Sequence, residues 1–154
     1  MVSQDFVGRT YPPEGVYEVG REKIREFAEA MAGSGGPRAV HPAHLDPAAA
    51  RALGHADVVA PPTFAVILAQ RSDARFVLDP AAGIDYSRVV HGEQRFVHHR
   101  PIVAGDRLVT TLHVDGIRSA GGHSMVTTRS EIATEVGEAV CTATSMLVVR
   151  AADG

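Results

Sequence analysis

Two imidazoles three residues apart, His41 and His44 in the stretch Arg38-Ala-Val-His-Pro-Ala-His44, are the groups in this chain best suited to moving protons. Imidazole ordinarily titrates near neutral pH, so it can accept a proton and return it within one reaction. The stretch holds no carboxylate; Asp46 and Asp57 are the nearest. Asp46 precedes Pro47, the pairing of a helix N-cap with a first-turn proline, so its expected role is capping. Asp57 is expected as an exposed turn residue. Other chemistries find less support. Cys141, the only cysteine, sits among Val140, Thr142 and Ala143 and reads as a small apolar filler in a strand. No Gly-x-Ser-x-Gly or phosphate loop occurs. The eight histidines form no zinc-like cluster with Cys or carboxylates, and His98 and His99 point to opposite faces if they lie on a strand. No metal and no cofactor are expected.

The proton-carrying loop lies between two expected helices. In Arg21 to Met31, Ile24, Phe27, Ala28 and Met31 recur at i, i+3, i+4 and i+7, the apolar stripe of an amphipathic helix, and Arg25 and Glu29 can pair on its other face. Gly33 to Gly36 ends that helix and Pro37 prevents its resumption, so a mobile loop is expected over 33–41. A short helix follows from Pro47 to Leu53, stopped at Gly54. Pro61 to Gln70 begins with helix-compatible prolines and is apolar on nearly every side from Phe64 to Ala69, which predicts a buried helix.

Asp79 to Ile84 reads as a loop, and beyond it the periodicity changes. Val89 to His99, Arg107 to Ile117, His123 to Ala133 and Glu138 to Arg150 are rich in β-branched residues, with turn signals at Gly105-Asp106, Gly121-Gly122 and Glu135 to Gly137. Leu108, Leu112 and Val114 alternate with Thr111, His113 and Asp115, as on a strand with one covered face. Helices first and an antiparallel sheet afterwards indicate an α+β fold.

At 154 residues, 45% apolar and 21% charged, the sequence fits one soluble domain. A net charge of −3, with fifteen Lys and Arg scattered along the chain, provides no basic stripe for nucleic acid. No apolar run approaches the roughly 20 residues needed to span a bilayer, and the N-terminus lacks signal-peptide character, so no membrane association and a cytoplasmic location are expected.

The loop Ala39-Val-His-Pro-Ala-His44 resembles the catalytic loop of MaoC-like (R)-specific enoyl-CoA hydratases and hydroxyacyl-thioester dehydratases, roughly Gly-Asp-x-Asn-Pro-x-His. Pro42 and His44 match, His41 replaces the Asn, and Ala39 stands where the family has its catalytic Asp. Val89-Val-His-Gly-Glu-Gln-Arg-Phe96, His99-Arg-Pro-Ile-Val-Ala-Gly-Asp-Arg-Leu108, Ala50 to Phe64 and Gly20 to Phe27 are similar to the actinobacterial subfamily of (3R)-hydroxyacyl-ACP dehydratase subunits, the FAS1-type dehydratase domain.

The resemblance implies a single hotdog domain over 1–154, a curved antiparallel sheet wrapped around a central helix. It implies reversible hydration of a 2-enoyl or dehydration of a 3-hydroxyacyl thioester, carried by CoA or acyl carrier protein, in a tunnel beside that helix. On this reading His44 is the general acid/base. His41 is either a solvent-facing loop residue or a second proton carrier in place of the missing carboxylate. Pro62, Thr63 and Phe64 hold the thioester carbonyl near the helix N-terminus, while His91 and Gln94 either line the tunnel or hydrogen-bond across the sheet. Ala39 opens the alternative of a noncatalytic acyl-binding subunit beside an active partner; different thioester chemistry, nucleophile addition or hydrolysis, is a third. A homodimer or a heterodimer with another hotdog subunit is expected, because a lone curved sheet leaves its edges unpaired.

Overall fold

The computed structural model describes residues 1–35 and 39–151. The expected mobile loop over 33–41, with Pro37 as its helix stop, falls partly on residues 36–38, which lie outside the described residues. Gly33–Gly35 forms one 3-10 turn within that loop and Pro42–His44 another just after it.

The sheet has six strands: β1 (Thr10–Tyr11), β2 (Tyr17–Glu18), β3 (Val89–His98), β4 (Arg107–Ala120), β5 (His123–Thr134) and β6 (Ala139–Val149). Their order is β1-β4-β5-β6-β3, with β2 also paired to β4, and every pairing is antiparallel. The four long strands fall where β-branched periodicity placed them. Gly121 and Gly122, both at positive φ (58° and 80°), close the β4–β5 hairpin in the mirror-image turn that suits strand twist. β1 and β2 were not foreseen, because the N-terminal stretch around Pro12 and Pro13 has no period; its segments are too short to show one and gain their structure by pairing with the edge of β4.

Three helices complete the chain: α1 (Arg21–Ala32), α2 (Pro47–Ala52) and α3 (Val66–Val77). α1 buries Ile24 and Ala28 and carries the Arg25–Glu29 pair at 2.5 Å, but Met31 at its end is 61% exposed rather than part of the covered stripe. α2 begins with the Asp46 carboxylate accepting from Ala48 N–H at 2.9 Å, the cap read from the sequence.

α3 is the central helix and corrects the expected boundaries, which were 61 to 70. Residues 62–65 form turns closed by i to i+3 bonds, and the helix runs on to Val77. The apolar run misled at both ends: the prolines stiffen a turn ahead of the helix, and the later turns carry Gln70, Arg71 and Arg75, whose polarity hid the continuing period. Leu68, Ala69, Ser72, Asp73, Phe76 and Val77 are its buried residues, and it packs on β4, β5 and β6. Two apolar clusters result. One joins Phe64, Leu68 and Ala69 to Ile24, Val58 and Ile132, and the other joins Phe76 and Val77 to Phe6, Leu112 and Val126. This is the hotdog arrangement of one helix against one antiparallel sheet.

Candidate functional site

The loop bearing the two imidazoles is held by the backbone of Val59. Val59 forms an antiparallel bridge with Val103, flanked by Ala60 N–H to Ile102 C=O at 2.8 Å and Ala104 N–H to Val58 C=O at 3.0 Å. In such a bridge the polar groups of the middle residue point away from the paired strand. They meet the loop instead: Val59 N–H donates to the Ala43 carbonyl at 3.0 Å, and the Val59 carbonyl oxygen lies 2.5 Å from His44 Nδ1. The 102–104 segment is itself braced, since the Asp106 carboxylate accepts from Val103 N–H and pairs with both ends of the Arg100 guanidinium at 2.9 Å. The Arg100 to Asp106 motif therefore acts on the histidine loop through Val59.

These bonds fix the chemistry of each ring. A carbonyl oxygen can only accept, so His44 donates from Nδ1–H, and its neutral ring carries the free lone pair on Nε2. No partner for Nε2 is found among the described residues. His41 is polarised the other way. Its Nδ1 accepts from Ala43 N–H at 3.2 Å as the cap of the Pro42–His44 turn, so the neutral ring carries its proton on Nε2. The two rings meet edge to face with centroids 6.0 Å apart.

A cavity of about 230 Å³ is lined by both rings together with Ala39, Met31, Ala28 and Pro61. Ala39 thus stands beside the imidazoles, and no carboxylate is among the described residues lining the cavity. Asp46 is committed to its cap, and Asp57, expected as an exposed turn residue, is instead gripped by Arg21 through two bonds of 2.9 and 2.7 Å with its side chain 17% exposed. That guanidinium, followed by the Val58 N–H, holds the Asp57 carboxyl below the usual range.

The other expected site residues lie in the turn ahead of α3 and on β3. Pro62 is exposed, Thr63 half-buried with Oγ1 4.0 Å from the Met31 sulfur, and Phe64 fully buried against Phe27 at 5.4 Å between ring centroids. Neither Thr63 N–H nor Ala65 N–H finds an acceptor among the described residues. His91 and Gln94 do not line the cavity. They share the inward face of β3 with Phe96 and His98, since their cross-strand partners Leu147, Ser145, Ala143 and Cys141 are all buried. Gln94 donates to the Thr144 carbonyl and accepts from Ser145, and His91 Nε2 bonds the Glu93 carbonyl at 3.1 Å.

A polar group within the core escaped the sequence reading. Asp73 of α3 is 5% exposed, accepts from Thr128 Oγ1 at 2.6 Å, and has its carboxyl pushed up by burial. Only its place on a helix face that also carries Leu68, Ala69 and Phe76 hinted at burial. A second cavity, about 320 Å³ between α3 and the β2–β4 edge, is lined by Glu14, Tyr17, Arg71, Ser72 and Arg75; no imidazole is among its described lining residues, its carboxylate Glu14 is paired with Arg75 at 3.0 Å, and guanidinium groups do not exchange protons at physiological pH.

The family model described as "FAS1-like, dehydratase domain region" matches residues 5–143. A "UPF0336 protein" of Saccharopolyspora erythraea is 56% identical over 149 residues, covering 97% of this chain and 92% of that one. Among solved structures, the C-terminally truncated HadBC (3R-hydroxyacyl-ACP dehydratase) complex from Mycobacterium tuberculosis contains a chain that superposes with a TM-score of 0.80 at 33% identity, covering 94% of this chain and 97% of that one. A "MaoC-like dehydratase" superposes at 0.84 with 35% identity; 97% of this chain is covered, and it spans 44% of that longer protein.

Proposed function

The chain belongs to the FAS1-like dehydratase domain family, and on that premise we propose that it is a hydro-lyase acting on 2-enoyl and 3-hydroxyacyl thioesters of CoA or acyl carrier protein. The observation that carries this reading is the contact of His44 Nδ1 with the Val59 carbonyl oxygen. With Nδ1–H committed to the Val59 carbonyl, Nε2 is left as a base on a ring that lines a cavity.

In the hydration direction, water placed against His44 Nε2 yields a proton as its oxygen bonds C3 of the enoyl group. The C2=C3 electron pair moves toward the thioester carbonyl, and the enolate oxygen is met by backbone N–H groups at Thr63 and its neighbours ahead of α3. C2 then takes the proton from the His44 imidazolium, which returns that ring to its neutral form, while His41, whose Nδ1 is occupied by Ala43 N–H, offers Nε2–H as a hydrogen-bond donor to the reacting oxygen. Dehydration is the same path reversed. In this scheme His44 alone exchanges the proton, and His41 orients the reacting oxygen where the family has a carboxylate.

The cavity is smaller than the roughly 300 Å³ at which ligand pockets usually begin, so a second hotdog chain supplies the remaining wall. The outer edge of β3 lacks a strand partner among the described residues and suits such pairing, and the HadBC relative is a complex. A second reading rests on Ala39: a chain without the carboxylate serves as the acyl-binding wall of a heteromeric enzyme. Incubating the purified chain with crotonyl-CoA and following 3-hydroxybutyryl-CoA by mass spectrometry separates the two. Product from the chain alone supports the hydro-lyase. Product only after co-expression with a second hotdog subunit, unaffected by His44→Ala, supports the noncatalytic role.

A further inference from the structure

We infer that His98 is a positioning residue for the backbone donor at Thr63, an inference that rests on the hydratase reading of the site. His98 lies at the end of β3 with Nε2 2.7 Å from the Pro62 carbonyl oxygen. The oxygen has no hydrogen to give, so the ring donates. The Pro62 C=O and the Thr63 N–H belong to one planar trans peptide, and no peptide bond is cis. The two bonds point in opposite directions, so fixing the carbonyl fixes the N–H.

That N–H is placed to matter. It has no acceptor among the described residues, while the Thr63 side chain touches Met31, and Met31 and Pro61 line the cavity with His44. A donor on the carbonyl also polarises the amide, strengthening the hydrogen bond its N–H can offer by about 10–30%. The imidazole is itself braced: it stacks on Phe96, centroids 6.1 Å apart at 27°, and Phe96 packs against the core. Its one hydrogen-bond partner among the described residues is this carbonyl. Pro61 and Pro62 restrict the backbone on the other side of the peptide. A rigid, polarised N–H is what stabilisation of a developing enolate requires, because orientation is then settled before the reaction begins.

Pro62-Thr63 is the only Pro-Thr pair in the sequence, so labelling proline with carbonyl carbon-13 and threonine with nitrogen-15 gives a single amide–carbonyl cross-peak. The expected result is that His98→Phe displaces this peak and His98→Gln, which keeps a donor, returns it toward its original position. In crotonyl-CoA hydration, His98→Phe lowers kcat about tenfold, part of the value of a whole oxyanion donor. KM stays within about twofold, as for a contact made in the transition state, and His98→Gln recovers most of the loss. If His98→Phe does not fold, His98→Ala takes its place in both measurements. An unmoved peak on removal of the ring, or a rise in KM with kcat unchanged, overturns the inference. If the wild-type chain shows no turnover, the hydratase reading fails by itself and the cross-peak alone decides whether His98 fixes this peptide.

Discussion

His44 Nδ1 lies 2.5 Å from the Val59 carbonyl oxygen, and that one bond decides which edge of the ring can act as a base. The neutral ring is therefore expected as the Nδ1–H tautomer. Long-range nitrogen-15 to proton correlation of the imidazoles distinguishes the tautomers directly. A His44 pattern with the proton on Nε2 would contradict the assignment and remove the base from the cavity.

Ala39 lines the same cavity as His41 and His44. Restoring a carboxyl by Ala39→Asp is expected to raise the enoyl-CoA hydration rate by about tenfold or more, the lower reach of a positioned general acid/base. Steady-state kinetics on the purified variant checks this. An unchanged rate in a folded variant would show that position 39 is out of reach of the reacting atoms.

Asp73 and Thr128 make the buried polar contact of the core, at 2.6 Å. Burial raises the Asp73 pKa in the folded chain, so the folded state keeps a proton that the unfolded chain has already lost. Its unfavourable contribution is present above the folded pKa, shrinks as pH falls through that value, and is gone below the unfolded value near 3.9. Asp73→Asn is expected to raise the urea midpoint at neutral pH and flatten this part of the pH profile. Thr128→Val, which removes the Thr128 donor and leaves the carboxyl to Ser145, should cost about 1–3 kcal/mol. A drop in midpoint for Asp73→Asn at neutral pH would count against this account of the core.

Cys141 is 1% exposed in β6, and burial pushes its thiol up to about 11. It is expected to resist alkylation at pH 7.5 in the folded chain and to react fully in denaturant. Time-resolved mass measurement with iodoacetamide checks this; rapid labelling under native conditions would show that the strand opens.

The long strands, the amphipathic α1 and the capped α2 were legible because their signals are local. Alternation in β4 named Leu108, Leu112 and Val114, all of which are buried, and Asp46-Pro47 announced α2. The start of α3 was not, since two prolines suit a stiff turn as well as a first helical turn, and only packing against the sheet decides between them. The site was half legible. Side chains with proton chemistry declare themselves in sequence, and His41, His44 and Ala39 do share a cavity. Their control does not. Val59 acts on His44 through a carbonyl oxygen and Pro62 receives His98 the same way, and every residue carries such an oxygen. Asp57 looked like a turn residue because its partner Arg21 is 36 positions away.

The central claim is that His44 is the base that activates water, and the most direct measurement compares crotonyl-CoA hydration by the purified wild-type chain with His44→Ala. Measurable turnover reduced about 100-fold or more by the substitution, with the fold retained by circular dichroism, is the predicted result. Equal rates for the two proteins would contradict it.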